Sequence, residues 1–133
     1  MVENEEFRVE INAEHFPDEI FREFVKTNFD KDRDGFLSEK EIRDVVEINL
    51  AKRDISDLTG IKHFTFLKQL KCSGTEIQEL NVSHSPSLEL LNCSHTQIKV
   101  LDVSHNSHLK WLNCSGTQIK VLDVSHNPSL EWL

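Results

Sequence analysis

The chain has 133 residues, 38% hydrophobic and 29% charged, enough for one compact unit or for a cap followed by a short repeat array. No apolar run approaches the roughly 18 residues that a membrane span needs. The formal net charge of −8 is concentrated at the start, with 15 acidic against 9 basic residues in positions 1–53, which argues against nucleic acid as a partner and favours cations.

Met1 to Glu10 lacks the basic start and apolar core of a signal peptide and reads as a charged, frayed segment in which only Phe7 and Val9 could pack. From Pro17 to Phe29 the apolar residues Ile20, Phe21, Phe24, Val25 and Phe29 recur at helical spacing. Pro17 stands at a permitted first-turn position, followed by Asp18 and Glu19, so the spacing predicts an amphipathic helix.

Asp30 to Glu41 then fits the twelve-residue EF-hand loop position by position. A hard cation such as calcium takes six to eight oxygens. Asp30, Asp32 and Asp34 would each supply one, Phe36 its carbonyl, Glu41 both carboxylate oxygens, and Ser38 a water-mediated contact. Gly35 allows a sharp turn where a side chain is expected to clash, and Leu37 should point inward. Ser38 and Glu41 have capping-box spacing, predicting an exit helix that buries Ile42, Val45 and Val46.

Ile48 to Gln69 reads as a divergent first repeat, and from Leu70 to Leu133 one pattern recurs every 21 residues. Leu70, Leu91, Leu112 and Leu133 fall in register, as do Cys72, Cys93 and Cys114, then Ile77, Ile98 and Ile119. Such a period marks a solenoid, whose repeats must stack to bury their apolar sides. Each repeat holds two alternating runs, such as Leu112-Asn113-Cys114 and Leu122-Asp123-Val124, and both are expected to form parallel ladders. The three cysteines read as small apolar core residues of one ladder, although a disulfide or metal-thiolate pair between neighbouring coils is geometrically conceivable.

Three surface columns follow from the period. Leu90, Trp111 and Trp132, with Asn92 and Asn113 beside them, form an outward face suited to partner binding, or cover the coil edge and stiffen it. His84, His105 and His126 share one position, where they could join a transition metal or repel one another in acid, or simply be solvated turn residues copied by repeat duplication. The Ser-His pairs at 83/84, 94/95, 104/105 and 125/126 are sequence neighbours in turns, with nothing to orient a base, so no enzyme is expected. The chain stops at Leu133 in mid-repeat without a polar cap. That favours a piece of a longer repeat protein, or an end able to associate with another.

The segments Leu109-Lys110-Trp111-Leu112-Asn113-Cys114-Ser115 and Leu122-Asp123-Val124-Ser125-His126-Asn127 resemble the two halves of the 21-residue class of bacterial leucine-rich repeats. Thr75, Thr96 and Thr117 depart from it, standing where that class usually carries Asn. Ile11-Asn12 and Phe16-Pro17-Asp18 through Leu58-Thr59-Gly60-Ile61 resemble the EF-hand-like cap of internalin-type proteins. The reading is therefore an α+β chain: a flexible start at 1–10, an EF-hand-like helical cap at 11–47, and repeats at 48–133, divergent over 48–69 and regular over 70–133. The resemblance implies a secreted or cell-surface protein that binds a protein or a surface ligand, with calcium playing a structural part in the cap. The alternatives are a self-assembling repeat joined through its C-terminal end, and a metal- or pH-responsive binder built on the histidine column.

Overall fold

An apolar residue flanked by polar ones at every 21st position is buried only if successive turns of the chain stack. The computed structural model of the protein describes residues 7–131 and contains such a stack. Its parallel sheet runs β3 (Glu47–Asn49), β4 (Gln69–Lys71), β5 (Leu90–Asn92) and β6 (Trp111–Asn113), in that spatial order. Ile48, Leu70, Leu91 and Leu112 pair across it and are fully buried, while the residues on either side of each face outward. Backbone bonds between coils continue past the strands, from Cys72 N–H to the Asn92 carbonyl (2.8 Å) and from Cys93 N–H to that of Asn113 (2.9 Å). Thr75, Thr96 and Thr117 close the following turn by donating Oγ1 to the carbonyls of Cys72, Cys93 and Cys114 at 2.8, 2.8 and 2.7 Å. A threonine hydroxyl thus serves in the turn where asparagine was the expected residue.

The second alternating run of each repeat is not a strand, contrary to expectation. Its inward residues Leu80, Val82, Leu101 and Val103 are buried, so the alternation reported burial correctly and pairing wrongly. The Val82 and Val103 carbonyls, which a ladder would use, are taken by a backbone N–H three residues on and by a side chain of the next coil. Asn106 Nδ2 donates to Val82 and Ser85 carbonyls (both 2.9 Å), and Asn127 Nδ2 to those of Val103 (3.0 Å) and Asn106 (2.8 Å). From the middle of the run, Asn81, Asp102 and Asp123 accept from the N–H of Ser83, Ser104 and Ser125 just beyond it, turning the chain away.

A column of left-handed residues runs through the stack at Lys52 (φ 65°), Gly74 (71°), His95 (56°) and Gly116 (69°). Bulky and bare positions alternate along it. A Cβ at Gly74 would meet Lys52 Cγ at 3.4 Å, and one at Gly116 would stand 2.4 Å from His95 Nδ1.

Ahead of the sheet, β1 (Arg8–Glu10) pairs antiparallel with β2 (Phe36–Ser38), Val9 opposite Leu37, both buried. The frayed start expected at 1–10 is therefore corrected for residues 8–10, and for 1–6 it lies outside the described residues. Phe7 is 60% exposed and does not pack. α1 (Glu19–Phe29) begins two residues later than expected: Pro17 lies outside it, and Asp18 is its N-cap, accepting from Ile20 and Phe21 N–H at 3.0 and 3.1 Å. α2 (Glu39–Arg43) is only five residues long and carries the expected capping box of Ser38 and Glu41. Ile42 and Val45 are buried, but Val46 is 45% exposed because the helix has ended by Arg43 and the chain is already extending into β3.

The cap residues and the coils share one apolar core from Val9 to Leu112. Phe16 is its hinge, edge-on to Phe21 (5.7 Å) and tilted against Phe64 (6.2 Å). Gly60 makes that approach possible, since at φ +110° a Cβ would lie 2.3 Å from the Phe16 ring. Asp18 fastens the same joint with its second oxygen, which accepts from Ser56 and Asp57 N–H at 2.9 and 3.2 Å. Among the described residues no helix is long and apolar enough to cross a membrane.

Asn106→Ala should cost about 1–3 kcal/mol, because it removes two buried hydrogen bonds to the preceding coil, leaving the Val82 and Ser85 carbonyls only the backbone N–H groups of Ser85 and Leu88. Urea unfolding of the variant checks this, and a loss inside experimental error would mean that the solenoid does not depend on these side-chain links.

Candidate cation site and recognition face

The loop between α1 and α2 gathers four carboxylates. One oxygen from each of Asp30, Asp32, Asp34 and Glu41 lies within 4.8 Å of all the others, with Asp30 and Glu41 buried and Asp32 and Asp34 exposed. Among the described residues this is the only grouping of three or more histidine, cysteine or carboxylate side chains able to hold a metal ion. The fold at this point follows from local hydrogen bonds. Asp30 Oδ2 accepts from Gly35 N–H (2.9 Å), and its Oδ1 from Asp34 N–H (3.3 Å); Asp34 Oδ1 accepts from Phe36 N–H (3.0 Å). Gly35 is needed for its φ of +83°, not for space, since nothing lies within 4 Å of where its Cβ would stand. That corrects the clash expected from the sequence.

Glu41 closes the loop from the far side. Its Oε2 accepts from Lys31 N–H (2.7 Å) and Asp32 N–H (3.3 Å), and its Oε1 from Ser38 N–H (2.8 Å). Ser38 Oγ in turn accepts from Glu41 N–H at 3.1 Å, so the serine is engaged in the helix cap. Crowding shows in the titration of the two exposed members. Partial desolvation, a shared hydrogen bond with Asp34 and the Glu41 and Asp34 charges hold Asp32 above its ordinary range, whereas the Phe36 N–H lowers Asp34. Beyond the loop, Gly35 carbonyl accepts from Ile11 N–H (3.0 Å), and Phe36 lies under the Arg8 guanidinium at 4.1 Å. The loop is thereby bound to the N-terminal segment as well as to the helices.

The outward side of the parallel sheet carries Glu47, Gln69, Leu90 and Trp111 in one column and Asn49, Lys71, Asn92 and Asn113 in the next. Leu90, Asn92, Trp111 and Asn113 are half-buried, and Trp132 lies outside the described residues. The asparagines are held by the turns that follow them: Asn92 Oδ1 accepts from Ser94 N–H (3.1 Å) and Oγ (2.7 Å), and Asn113 Oδ1 from Ser115 N–H (3.0 Å) and Oγ (2.8 Å). Lys71 and Glu47 pair across two strands at 3.2 Å. Lys68, Glu89, Lys110 and Glu131 continue the face at the strand starts, alternating in sign.

His84, His105 and His126 are exposed, and each Nδ1 lies 3.2–3.3 Å from the hydroxyl of the serine before it. They form no metal-holding trio. Sequence reading missed that His63 starts this column 21 residues before His84, although the spacing was there to be counted. Cys72 and Cys93 are buried free thiols and Cys114 is half-buried. Burial, with the Cys114 thiol adding to it, pushes Cys93 up to about 12, and burial beside Cys93 raises Cys72 further, which makes both unreactive at neutral pH.

Against known proteins, the model of the endo-beta-N-acetylglucosaminidase EndoS leucine-rich-repeat domain matches residues 16–133. Comparison with curated proteins gives no match. Among solved structures, the functional domain of InlJ from Listeria monocytogenes, described as including a cysteine ladder, is similar at TM-score 0.87 and 29% identity, over 98% of this chain and 29% of that one. A leucine-rich-repeat protein of Leptospira interrogans is similar at TM-score 0.64 and 26% identity, over 70% of this chain and 26% of that one. The internalin InlF from Listeria monocytogenes shares the fold at TM-score 0.64 and 17% identity, over 95% of this chain and 45% of that one. The chain thus spans less than half the length of each of these three.

Proposed function

The chain belongs to the EndoS leucine-rich-repeat domain family, and from that premise we propose that it is a calcium-stabilised recognition module rather than a catalyst, binding a protein or a cell-surface ligand through the outward side of its parallel sheet. The observation that carries this reading is the face itself: an apolar Leu90 and Trp111 column beside turn-locked Asn92 and Asn113, presented in register by a rigid stack. The similarity to internalin-type structures supports a secreted or surface setting, where calcium is plentiful. We place the cap at residues 11–47 and the repeats at 48–133.

Asp30, Asp32, Asp34 and Glu41 fit a hard divalent cation, since their oxygens already converge, with the Phe36 carbonyl and a Ser38-bound water as further ligands of an EF-hand-type loop. Calcium would neutralise the carboxylates. Its part is structural. A sensor hand needs helices that swing apart to bare a groove, whereas α2 is a single short turn and Glu41 is already drawn onto the loop start by two backbone N–H groups, those of Lys31 and Asp32.

Two outcomes are expected. Calcium at about 100 times its dissociation constant should stabilise the fold by about 2.7 kcal/mol in thermal unfolding, and Asp30→Asn with Glu41→Gln should abolish the shift; equal midpoints in calcium and in chelator would remove the ion from the account. Trp111→Ala with Trp132→Ala should weaken capture of immobilised cell-surface proteins by about 2 kcal/mol or more while leaving the calcium-bound fold intact, and undiminished capture would clear the face of that role.

A further inference from the structure

The joint between the N-terminal segment and the first coil is built around a histidine. His63, at the end of the short 3-10 turn Ile61–His63, is half-buried; its ring meets His15 edge-on at 5.8 Å and tilts against Phe16 at 5.9 Å. His15 is itself fixed, with Nδ1 2.8 Å from the Glu10 carbonyl and its N–H donated to Asn12 Oδ1 at 3.0 Å. The His15 carbonyl and Phe16 ring are the atoms that crowd Gly60. The rings of His15, Phe16 and His63 therefore lie at the contact through which residues 11–18 seat on the coil.

The charged groups around His63 are mostly cationic or able to become so. From its own turn comes Lys62, from the N-terminal segment His15, and from the next coil His84. α1 adds Arg22, whose Nη1 donates to the Phe16 carbonyl at 2.9 Å, and Asp18, whose carboxylate is engaged by the N–H groups of Ile20, Phe21, Ser56 and Asp57. Asp57 and Glu79 line the adjoining cleft of about 220 Å³ together with Lys62 and His84. Glu10 reaches the joint only through its backbone carbonyl, and Glu14 is exposed.

We propose that this contact is an acid-sensitive latch: a proton on His63 places a cation in a half-buried ring cluster already facing Lys62, His15 and His84, and releases residues 11–18 from the first coil while the rest of the stack persists. The direction of the response is fixed by linkage. Burial first, then the Lys62 charge and the His15 and His84 rings, holds His63 below the ordinary histidine value. A histidine depressed in this way binds its proton more weakly folded than unfolded. Its stabilising contribution is therefore full above the unfolded value of about 6.5 and is lost as pH falls below it toward the folded one. The latch is independent of the cation loop and of the sheet face, and it differs from a response of the whole histidine column, because His84, His105 and His126 are exposed.

The test follows individual amides of the full chain by hydrogen exchange at fixed calcium, at pH 7.5 and pH 5.5 and corrected for intrinsic rates. In the wild type the Phe16, Ser56 and Asp57 amides should lose protection several-fold at the lower pH while Leu91 and Leu112 keep theirs. His63→Gln should remove that selective loss, and His126→Gln should leave it unchanged. Equal loss in wild type and His63→Gln overturns the proposal. So does a direct imidazole titration of the wild type, needing no variant, that finds the His63 midpoint at or above the ordinary histidine value.

Discussion

Every coil of this protein completes its hydrogen bonding on its neighbour. A three-residue strand has no internal partner, and the buried carbonyls of the second half-repeat, each accepting one backbone N–H of their own coil, take a second donor from Asn106 or Asn127 of the next. The apolar residues face the same constraint, since Leu70, Leu91 and Leu112 are covered only because coils lie above and below. Stability is therefore a property of interfaces between coils, and each end of the stack presents a separate physical problem.

At the N-terminal end that problem is met by a segment whose own secondary structure is slight: one helix of three turns, one of a single turn, and a two-stranded ribbon. What makes it a cap is convergence. Asp18 holds α1 with one oxygen and the first coil with the other, Phe16 fills the joint over Gly60, and Glu41 draws the loop start toward α2. The carboxylates of the loop converge at the same point where the helices are seated.

The repeat step of 21 residues made the inward columns legible, because a register repeated several times leaves little freedom in which residue faces the core. Spacing also indicated which carboxylates could converge in the loop. Other features were hidden for identifiable reasons. β1 forms by pairing with a strand about 28 residues away, and three charged-flanked residues carry no local sign of it. The run Leu101-Asp102-Val103 alternates as a strand does, but alternation reports one-sided burial and cannot tell who satisfies the backbone. Asn106 and Asn127 read as surface turn formers by residue type and are in fact buried, because their value lies in carbonyls of another coil. His63 stood in the histidine column all along, concealed inside a first repeat whose strand step is 22 rather than 21.

The left-handed column Lys52, Gly74, His95 and Gly116 has a bearing on how such an array can grow. A β-carbon at Gly74 would meet Lys52 only in ordinary contact, whereas one at Gly116 would collide with the His95 imidazole, so the coils that carry His95 and Gly116 are not interchangeable. Duplicating the His95 coil would set one imidazole where another already sits. A coil stacked after the His95 coil must therefore keep a bare backbone at this level, as Gly116 does.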